Sequence, residues 1–284
     1  MQKENVISPA PHALCASAIQ NSILPVYKKL TLNKIRIFDE INSTNTEAKR
    51  LAQESADDPH GTVILAEKQT AGRGRLGRTF YSPSQTGLYM SILYKVDDLD
   101  PMLITALTSV AVARAIKDVY GIETSIKWVN DLFLDGRKIC GILTEGIIDQ
   151  TAKKIETVVI GIGINVYSNI ESFPQDLHNT AGSLSQTAQV CHDPDFYKTS
   201  RNLLCASVLN NLFAILSSTP EKIEASINEY RDRSFLTGKN VTVVKGNTIF
   251  KARVINITKQ AHLLVQKEDG TQEELFTGEV SIKL

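Results

Sequence analysis

The pattern of hydrophobic and polar positions changes period several times along the chain, and each change marks an element. Residues 35–38 and 62–67 are short apolar or β-branched runs bounded by turn formers, which predicts strands. Between them, Thr44 and Glu47 have the spacing of a helix capping box, so a helix is expected from there to about residue 54. Strand texture returns at residues 88–94. Residues 101–120 then place Ala, Leu, Ile and Val at helical spacing until Gly121 stops them. Residues 126–128 and 131–134 are short strand candidates, and Asp135-Gly136 predicts a type I′ hairpin into a strand over 137–146. A further strand is expected at 156–166. Helices are expected at 196–217 and 220–231, the second with Thr219 as its cap and Pro220 in its first turn. From residue 236 the texture becomes short strands at 241–244, 248–255, 262–266, 273–276 and 280–283, a small β-barrel.

Two stretches resist this reading. Residues 1–30 carry Pro9, Pro11 and Pro25 around a weakly apolar segment, which leaves a short helix and a loosely held arm equally open. Residues 68–86 are dominated by Gly, Arg, Ser and Pro, a loop of the length that compact domains reserve for lids and binding loops.

Composition narrows the possibilities without choosing among them. A chain of 284 residues suits one large domain and a small one, and 42% hydrophobic with 22% charged residues is ordinary for a globular protein. The 31 basic and 31 acidic side chains cancel, which removes any general electrostatic pull towards nucleic acid. Cys15, Cys140, Cys191 and Cys205 lie far apart with no Cys-x-x-Cys pair, so reduced thiols in a cytoplasmic protein are expected. No apolar run reaches the ~18 residues of a membrane helix, and no secretory leader is evident.

Candidate chemistry collects in three places. Gly72-Arg73-Gly74-Arg75-Leu76-Gly77 has the spacing of a dinucleotide-binding turn, but Arg78-Thr79-Phe80-Tyr81-Ser82-Pro83 follows where that turn needs a helix. Arg73, Arg75 and Arg78 instead offer planar cationic forks, on a loop whose glycines let backbone amides approach an anion. Taken alone, the loop suits a phosphate or carboxylate ligand and a solvated Arg-Gly segment equally well. The second place is Lys127-Trp128-Val129-Asn130-Asp131 and Arg137-Lys138-Ile139-Cys140-Gly141-Ile142-Leu143, which the Asp135-Gly136 turn brings side by side. Asn130 and Asp131 can hydrogen-bond a nucleotide or a hydrated magnesium ion, and Lys138 can bridge carboxylate and phosphate oxygens. A salt-bridged surface hairpin would look the same. The third is Gly161-Ile162-Gly163-Ile164-Asn165, where two glycines suit either close approach of a ligand or a bulge in a core strand.

Taken in order with Ser43-Thr44-Asn45 and Gln69-Thr70-Ala71, these segments resemble the biotin protein ligase family, of the monofunctional type without an N-terminal DNA-binding domain. The resemblance runs from about residue 35 to the C-terminus, and its joint match of five segments is far more specific than any one. It implies an α+β fold, with a central mixed sheet and flanking helices of the class II synthetase kind, plus a small SH3-like barrel. The implied domains are an arm over 1–34, a catalytic domain over 35–234 and the barrel over 235–284.

The implied activity is a biotin–[biotin carboxyl-carrier protein] ligase using ATP, biotin and Mg2+, with a carrier domain of acetyl-CoA carboxylase or another biotin-dependent carboxylase as acceptor. The resemblance assigns biotin to Ser43, Thr44, Asn45, Gln69, Gly72, Arg73, Gly74, Arg75, Lys138 and Gly141. It assigns the nucleotide to Arg75, Arg78, Phe80, Asn130, Asp131 and Asn165, catalysis to Lys138 and Arg75, and a metal contact to Asp131. Two positions depart from the family pattern, Phe80 for the usual Trp and Val129 for the usual Pro, and the second is expected to loosen its turn. A lipoate or octanoate ligase would share the fold but replace Ser43, Thr44 and Gln69 by an apolar tunnel. A biotin-dependent repressor would need a recognition helix, for which the short, proline-bearing, weakly charged segment before residue 35 is poor material. A monomer and a homodimer both remain open.

Overall fold

The computed structural model describes residues 13–54, 58–96, 100–148, 154–186, 194–276 and 279–281. The chain opens with α1 (Ala16–Ser22), α2 (Pro25–Thr31), β1 (Ile35–Ile41), α3 (Thr44–Glu54), β2 (Val63–Gln69) and β3 (Gly87–Lys95). It continues with α4 (Pro101–Tyr120), β4 (Ser125–Lys127), β5 (Asp131–Leu134), β6 (Arg137–Ile148) and β7 (Ile155–Asn165). Then come α5 (Pro194–Leu216), α6 (Pro220–Arg233), β8 (Asn240–Lys245), β9 (Thr248–Ile257), β10 (Leu263–Lys267), β11 (Gln272–Leu275) and β12 (Glu279–Ser281). The first seven strands form one sheet in the order β1-β2-β3-β7-β6-β5-β4. Only β1 and β2 are parallel, so the sheet is mixed, as expected. The last five strands form an antiparallel sheet in the order β11-β10-β9-β8-β12. Residues 282–283 of the last expected strand, residues 1–12 of the expected arm and Cys191 lie outside the described residues.

Strand alternation decides what each face of the large sheet meets. Val158, Ile160, Ile162 and Ile164 of β7 join Leu88, Met90 and Ile92 of β3 in the main core, which also contains the buried side chains of α1, α4, α5 and α6. Val159 points the other way and packs with Ile64, Leu93 and Ala48 of α3. Beyond Val159 on that face stand Gly161, Gly163 and Asn165, where the large side chains stop. A long helix at the centre fixes the main core: α4 is buried on nearly every side from Ile104 to Ile116. Asp100 caps its first turn by accepting Met102 N at 2.7 Å, and Gly121, at φ 70°, closes its end on the Lys117 carbonyl.

The N-terminal segment is helical and held. Leu14, Ile19 and Ile23 are buried in the main core. Asn202 accepts Cys15 N at 2.8 Å and donates to the Ala13 carbonyl at 3.2 Å. Two turns further along α5, Asn210 accepts Leu24 N at 2.9 Å and donates to the Ser22 carbonyl at 3.2 Å. Among the described residues, what precedes β1 is these two seven-residue helices packed on the body of the protein.

Two local expectations need correction. The Thr44 and Glu47 side chains form no capping box: Ser43 is the residue before the helix, Thr44 bonds Gln69, and Glu47 pairs with Arg50. The turn at Val129 is not loose, because Val129 is 3% exposed and its carbonyl accepts the Tyr230 hydroxyl at 2.9 Å. Next to it, Trp128 Nε1 donates to the Ala261 carbonyl at 2.8 Å, tying the turn to the small sheet. Among the described residues no helix is long and apolar enough to cross a membrane, and Cys15, Cys140 and Cys205 are free.

Carboxylates held by cations set one solution property. Burial raises the Glu229 carboxyl, but hydrogen bonds and charge from Arg114 and Arg233 outweigh it and leave the group below its ordinary value of 4.5. A depressed carboxyl contributes stability above its unfolded value and loses it as pH falls through the folded one. The melting temperature should therefore drop as pH is lowered past 4.5, and less steeply in Glu229→Gln. Equal slopes in the two proteins would remove this tie from the account.

Candidate functional site

Residues 70–86 are ordered into a narrow flap rather than left structureless. Gln69 pairs with Ser82 and Arg73 with Thr79 as antiparallel bridges, Phe80 N donates to the Gly72 carbonyl at 2.9 Å, and Gly74 N donates to the Arg78 carbonyl at 2.8 Å. A 3-10 turn, Arg75–Gly77, makes the tip, so no helix follows the glycines and the dinucleotide reading is excluded. Gly72 is needed because a Cβ there would sit 2.4 Å from the Phe80 carbonyl oxygen.

The flap covers a cavity of about 530 Å³ that every candidate site residue lines except Gly72, which instead lets the two flap limbs close. The floor is the large sheet beyond Val159. Gly163 lies opposite Gly141, and Gly161 opposite Leu143, in the β6–β7 register. The space these glycines release is taken by protein side chains. A Cβ on Gly161 would lie 2.0 Å from Asn45 Oδ1, and one on Gly163 would lie 2.6 Å from the Phe80 ring. Gly161→Ala should therefore cost about 1–3 kcal/mol by overpacking, seen as a lower urea midpoint. An unchanged midpoint would mean that Asn45 is free to leave.

One end of the cavity is a closed polar chain. Gln69 Oε1 accepts Thr44 N at 2.8 Å and Thr44 Oγ1 at 3.2 Å, while Gln69 Nε2 donates to Ser82 Oγ at 2.9 Å. The buried Ser91 hydroxyl lies 2.7 Å from Thr44 Oγ1 and 2.6 Å from Asn45 Oδ1. The Asn45 amide in turn donates to Glu145 Oε2 at 2.9 Å. Glu145 also meets Lys49 Nζ at 2.7 Å and Arg73 Nη2 at 3.1 Å. Burial raises its carboxyl, but hydrogen bonds from Lys49 and Asn45 and the charges of Lys49 and Arg73 prevail and hold it below the ordinary value.

The other end carries Lys138, Asp131 and Arg75. Lys138 Nζ is 2.7 Å from Asp131 Oδ1 and hangs over Gly141, whose absent Cβ would be 3.3 Å from it. Simple alternation would put Lys138 and Gly141 on opposite faces. A register shift between Leu132 and Phe133 pairs Leu132 with Cys140 but Phe133 with Lys138, and this bulge brings the ammonium to the cavity side. Asp135 and Gly136, at φ 48° and 74°, form the expected hairpin turn. Lys138 is fixed along its backbone as well, donating to the Thr180 carbonyl and accepting from Gly182 N, both at 2.8 Å. From the flap, Arg75 Nη1 reaches across to Asn130 Oδ1 at 3.2 Å, and Asn130 Nδ2 donates to the Ile142 carbonyl at 2.9 Å. Asn165 donates to the Gly182 carbonyl at 2.9 Å, and Arg78 is exposed on the flap. Cys140 is buried, which pushes its thiol up and leaves it unreactive.

The Phe80 ring rests on the sheet glycines and meets Tyr89 edge-on at 6.4 Å. It belongs to the floor of the cavity. Asp131 is one carboxylate already engaged by Lys138, and among the described residues no group of three or more His, Cys, Asp or Glu is placed to hold a metal ion. Such a donor set fits magnesium only as a partner of phosphate oxygens, with Asp131 the one carboxylate lining the cavity among the described residues.

Sequence reasoning missed the wall formed by Phe173, Leu177, Asn179 and Thr180, and also Glu145 and Ser91, which stand behind the lining and bond Asn45 and Thr44. Glu145 had a signal, since it continues the period-two row Gly141, Leu143, Glu145 along β6. Ser91 and the wall had none, because strand pairing and loop packing alone bring the wall to the cavity and Ser91 behind its lining.

Comparison with known proteins agrees with this constellation. Residues 37–165 match the model of the biotin/lipoate A/B protein ligase family. The bifunctional ligase/repressor BirA of Bacillus subtilis is 32% identical over 247 residues, 86% of this chain and 72% of that one. The biotin–[acetyl-CoA-carboxylase] ligase of Mycobacterium tuberculosis is 30% identical over 217 residues, 74% of each chain. In fold, the biotin protein ligase from Aquifex aeolicus, solved in complex with biotin and ATP, superposes with a TM-score of 0.68 at 23% identity, covering 88% of this chain and 98% of that one. With the flap, the Asn130-Asp131 turn, Lys138 and the glycine floor meeting in one cavity, the chain belongs to the biotin protein ligase family of enzymes.

Proposed function

We propose that this enzyme joins biotin to ATP, forming biotinyl-5′-AMP and releasing pyrophosphate, and then transfers the biotinyl group to a specific lysine of a biotin carboxyl carrier domain. The observation that carries the reading is the division of one cavity between an end rich in paired hydrogen-bond donors and acceptors, Ser43 to Gln69, and an end where Arg75 and Lys138 meet. A ureido ring needs paired donors and acceptors, and Ser43, Thr44, Asn45, Gln69 and Arg73 supply both. A lipoyl or octanoyl chain would instead need an apolar channel where those polar groups stand.

The first step brings a carboxylate oxygen onto the α-phosphorus, and the bond to pyrophosphate breaks. Lys138 offsets the repulsion between the two anions at the point of attack, and Arg75 holds the phosphate under the flap. Asn130, Asp131, Arg78 and Asn165 face the nucleotide, with Phe80 beneath it. Bound with the triphosphate, magnesium would supply further charge neutralisation. In the second step the acceptor amine attacks the mixed anhydride carbonyl and AMP leaves; the closed flap keeps water from doing so first. Acetyl-CoA carboxylase or another biotin-dependent carboxylase would provide the acceptor, and the use of ATP by a protein with free thiols suits a cytoplasmic reaction.

Single-turnover mixing with biotin and α-labelled ATP tests the first step: labelled biotinyl-AMP and pyrophosphate are expected. Activation of lipoate or octanoate in place of biotin would overturn the assignment. Arg75→Gly is expected to release the adenylate early, raising biotinylation of bystander lysines severalfold while adenylate still forms. Unchanged selectivity for the carrier would remove Arg75 from adenylate retention.

A further inference from the structure

Asn130 and Asp131 stand where a short turn, residues 128–130, passes from β4 into β5. A turn of that length makes few backbone bonds within itself, so its shape depends on the groups that hold it from outside. From β6, Ile142 N donates to the Asn130 carbonyl and the Asn130 amide donates back to the Ile142 carbonyl, both at 2.9 Å. From α6, the Tyr230 hydroxyl donates to the Val129 carbonyl at 2.9 Å. A peptide unit is planar, so holding the oxygen of Val129 also holds the Cα of Asn130 in the same plane. Tyr230 is 0% exposed and Val129 3%, which leaves water poorly placed to take over that bond. Burial pushes the Tyr230 phenol far up, and the charge of Asp131 pushes the same way, so the hydroxyl stays a donor. The end of α6 is itself tied down. Glu229, beside Tyr230, meets Arg114 of α4 at 2.7 Å, and past the helix Phe235 N donates to the Ile126 carbonyl of β4 at 3.4 Å.

We propose that Tyr230 is a positioning residue of the nucleotide end: its hydroxyl holds the Val129–Asn130 peptide, and so sets where Asn130 and Asp131 stand relative to Lys138. Tyr230 lies behind the cavity lining and touches none of the reacting atoms. This inference rests on the reading of the Lys138 end as the nucleotide site.

The test is single-turnover adenylation on the full chain at saturating biotin, followed against ATP concentration, with the biotin Kd measured by calorimetry without ATP. Tyr230→Phe removes one oxygen and keeps the ring. It is expected to raise the half-saturating ATP concentration about fivefold, the loss of one buried hydrogen bond. The maximal rate should fall about tenfold through misplacement of the turn. The biotin Kd should stay within about twofold, because Ser43, Thr44 and Gln69 are carried by other elements. In an Asn130→Ala background, Tyr230→Phe should cost markedly less than in the wild type. Ile227→Val, which loosens the same helix without reaching Val129, should leave the ATP dependence unchanged. Tyr230→Met also lacks a donor and can fill the space flexibly; it should show the same split and serves in place of Tyr230→Phe if that variant fails to fold. Wild-type ATP dependence and rate in the Tyr230 variant, equal losses for biotin and ATP, or the same losses in Ile227→Val would overturn the positioning role alone. Failure of the wild-type chain to form an adenylate from biotin and ATP would overturn the functional reading beneath it.

Discussion

Lys138→Ala is expected to slow formation of biotinyl-AMP by about 10²–10³-fold, the usual effect of deleting a preorganised charge that meets developing negative charge in a water-poor site. Biotin affinity should change far less. The geometry makes the experiment clean, because the Lys138 backbone is held by the Thr180 carbonyl and by Gly182 N, neither of which a side-chain truncation disturbs. What is lost is an ammonium 2.7 Å from Asp131, poised over a glycine that leaves room for a ligand beside it. When two anions enter, that ammonium can exchange its carboxylate partner for phosphate and carboxylate oxygens at little cost. An alanine cannot, and Asp131 then adds repulsion to the site. Adenylation at the wild-type rate by Lys138→Ala, measured in a single turnover, would take the residue out of the chemistry.

Arg201→Met is expected to destabilise the fold by about 3–5 kcal/mol, the cost of leaving a buried charge without its partner. Arg201 is 1% exposed; its Nη1 is 2.8 Å from Glu67 Oε2 and its Nη2 is 3.2 Å from Glu67 Oε1. The same guanidinium donates to the Gly87 carbonyl at 3.0 Å, and Leu14 N donates to Glu67 Oε1 at 2.7 Å. One ion pair therefore joins α5, the two strands that flank the flap and the N-terminal segment. A methionine fills much of the volume but leaves the Glu67 carboxylate facing an apolar wall. Adding Glu67→Gln should recover part of the loss, since a neutral amide is cheaper to bury than an unpaired carboxylate. Urea denaturation of the three proteins gives the answer, and a single-variant loss below about 1 kcal/mol would show that water reaches the pair.

How far the residues alone disclosed this molecule depended on whether information was local. The central helix, the Asp135-Gly136 hairpin and the strands of the small sheet were readable, because periodicity, caps and turn residues act over a few positions. The meeting of Ser43, Gln69, Arg73, Asn130, Lys138 and Asn165 in one cavity was readable only through family resemblance, since nothing in their spacing brings all five segments together. Glu145 escaped although it continues the row Gly141, Leu143 along β6, because what engages it, Lys49, Asn45 and Arg73, approaches from two other elements. The N-terminal segment was left open for a similar reason. Its helices are short and weakly capped, and what holds them is Asn202 and Asn210, nearly two hundred residues away in sequence.

The extra residue of β6, Ile139 between Lys138 and Cys140, acts as a phase shifter. Along an uninterrupted strand, odd and even numbers name opposite sides, so Lys138 and Gly141 would never meet. With the shift, parity is reversed on crossing it, and an odd glycine and an even lysine share one side while Cys140 is sent to the interior. Two related chains aligned with a gap anywhere in this short stretch would exchange those sides on paper, placing a thiol where the ammonium stands. Register here thus decides which side chain faces the cavity, as much as the identity of the lysine itself.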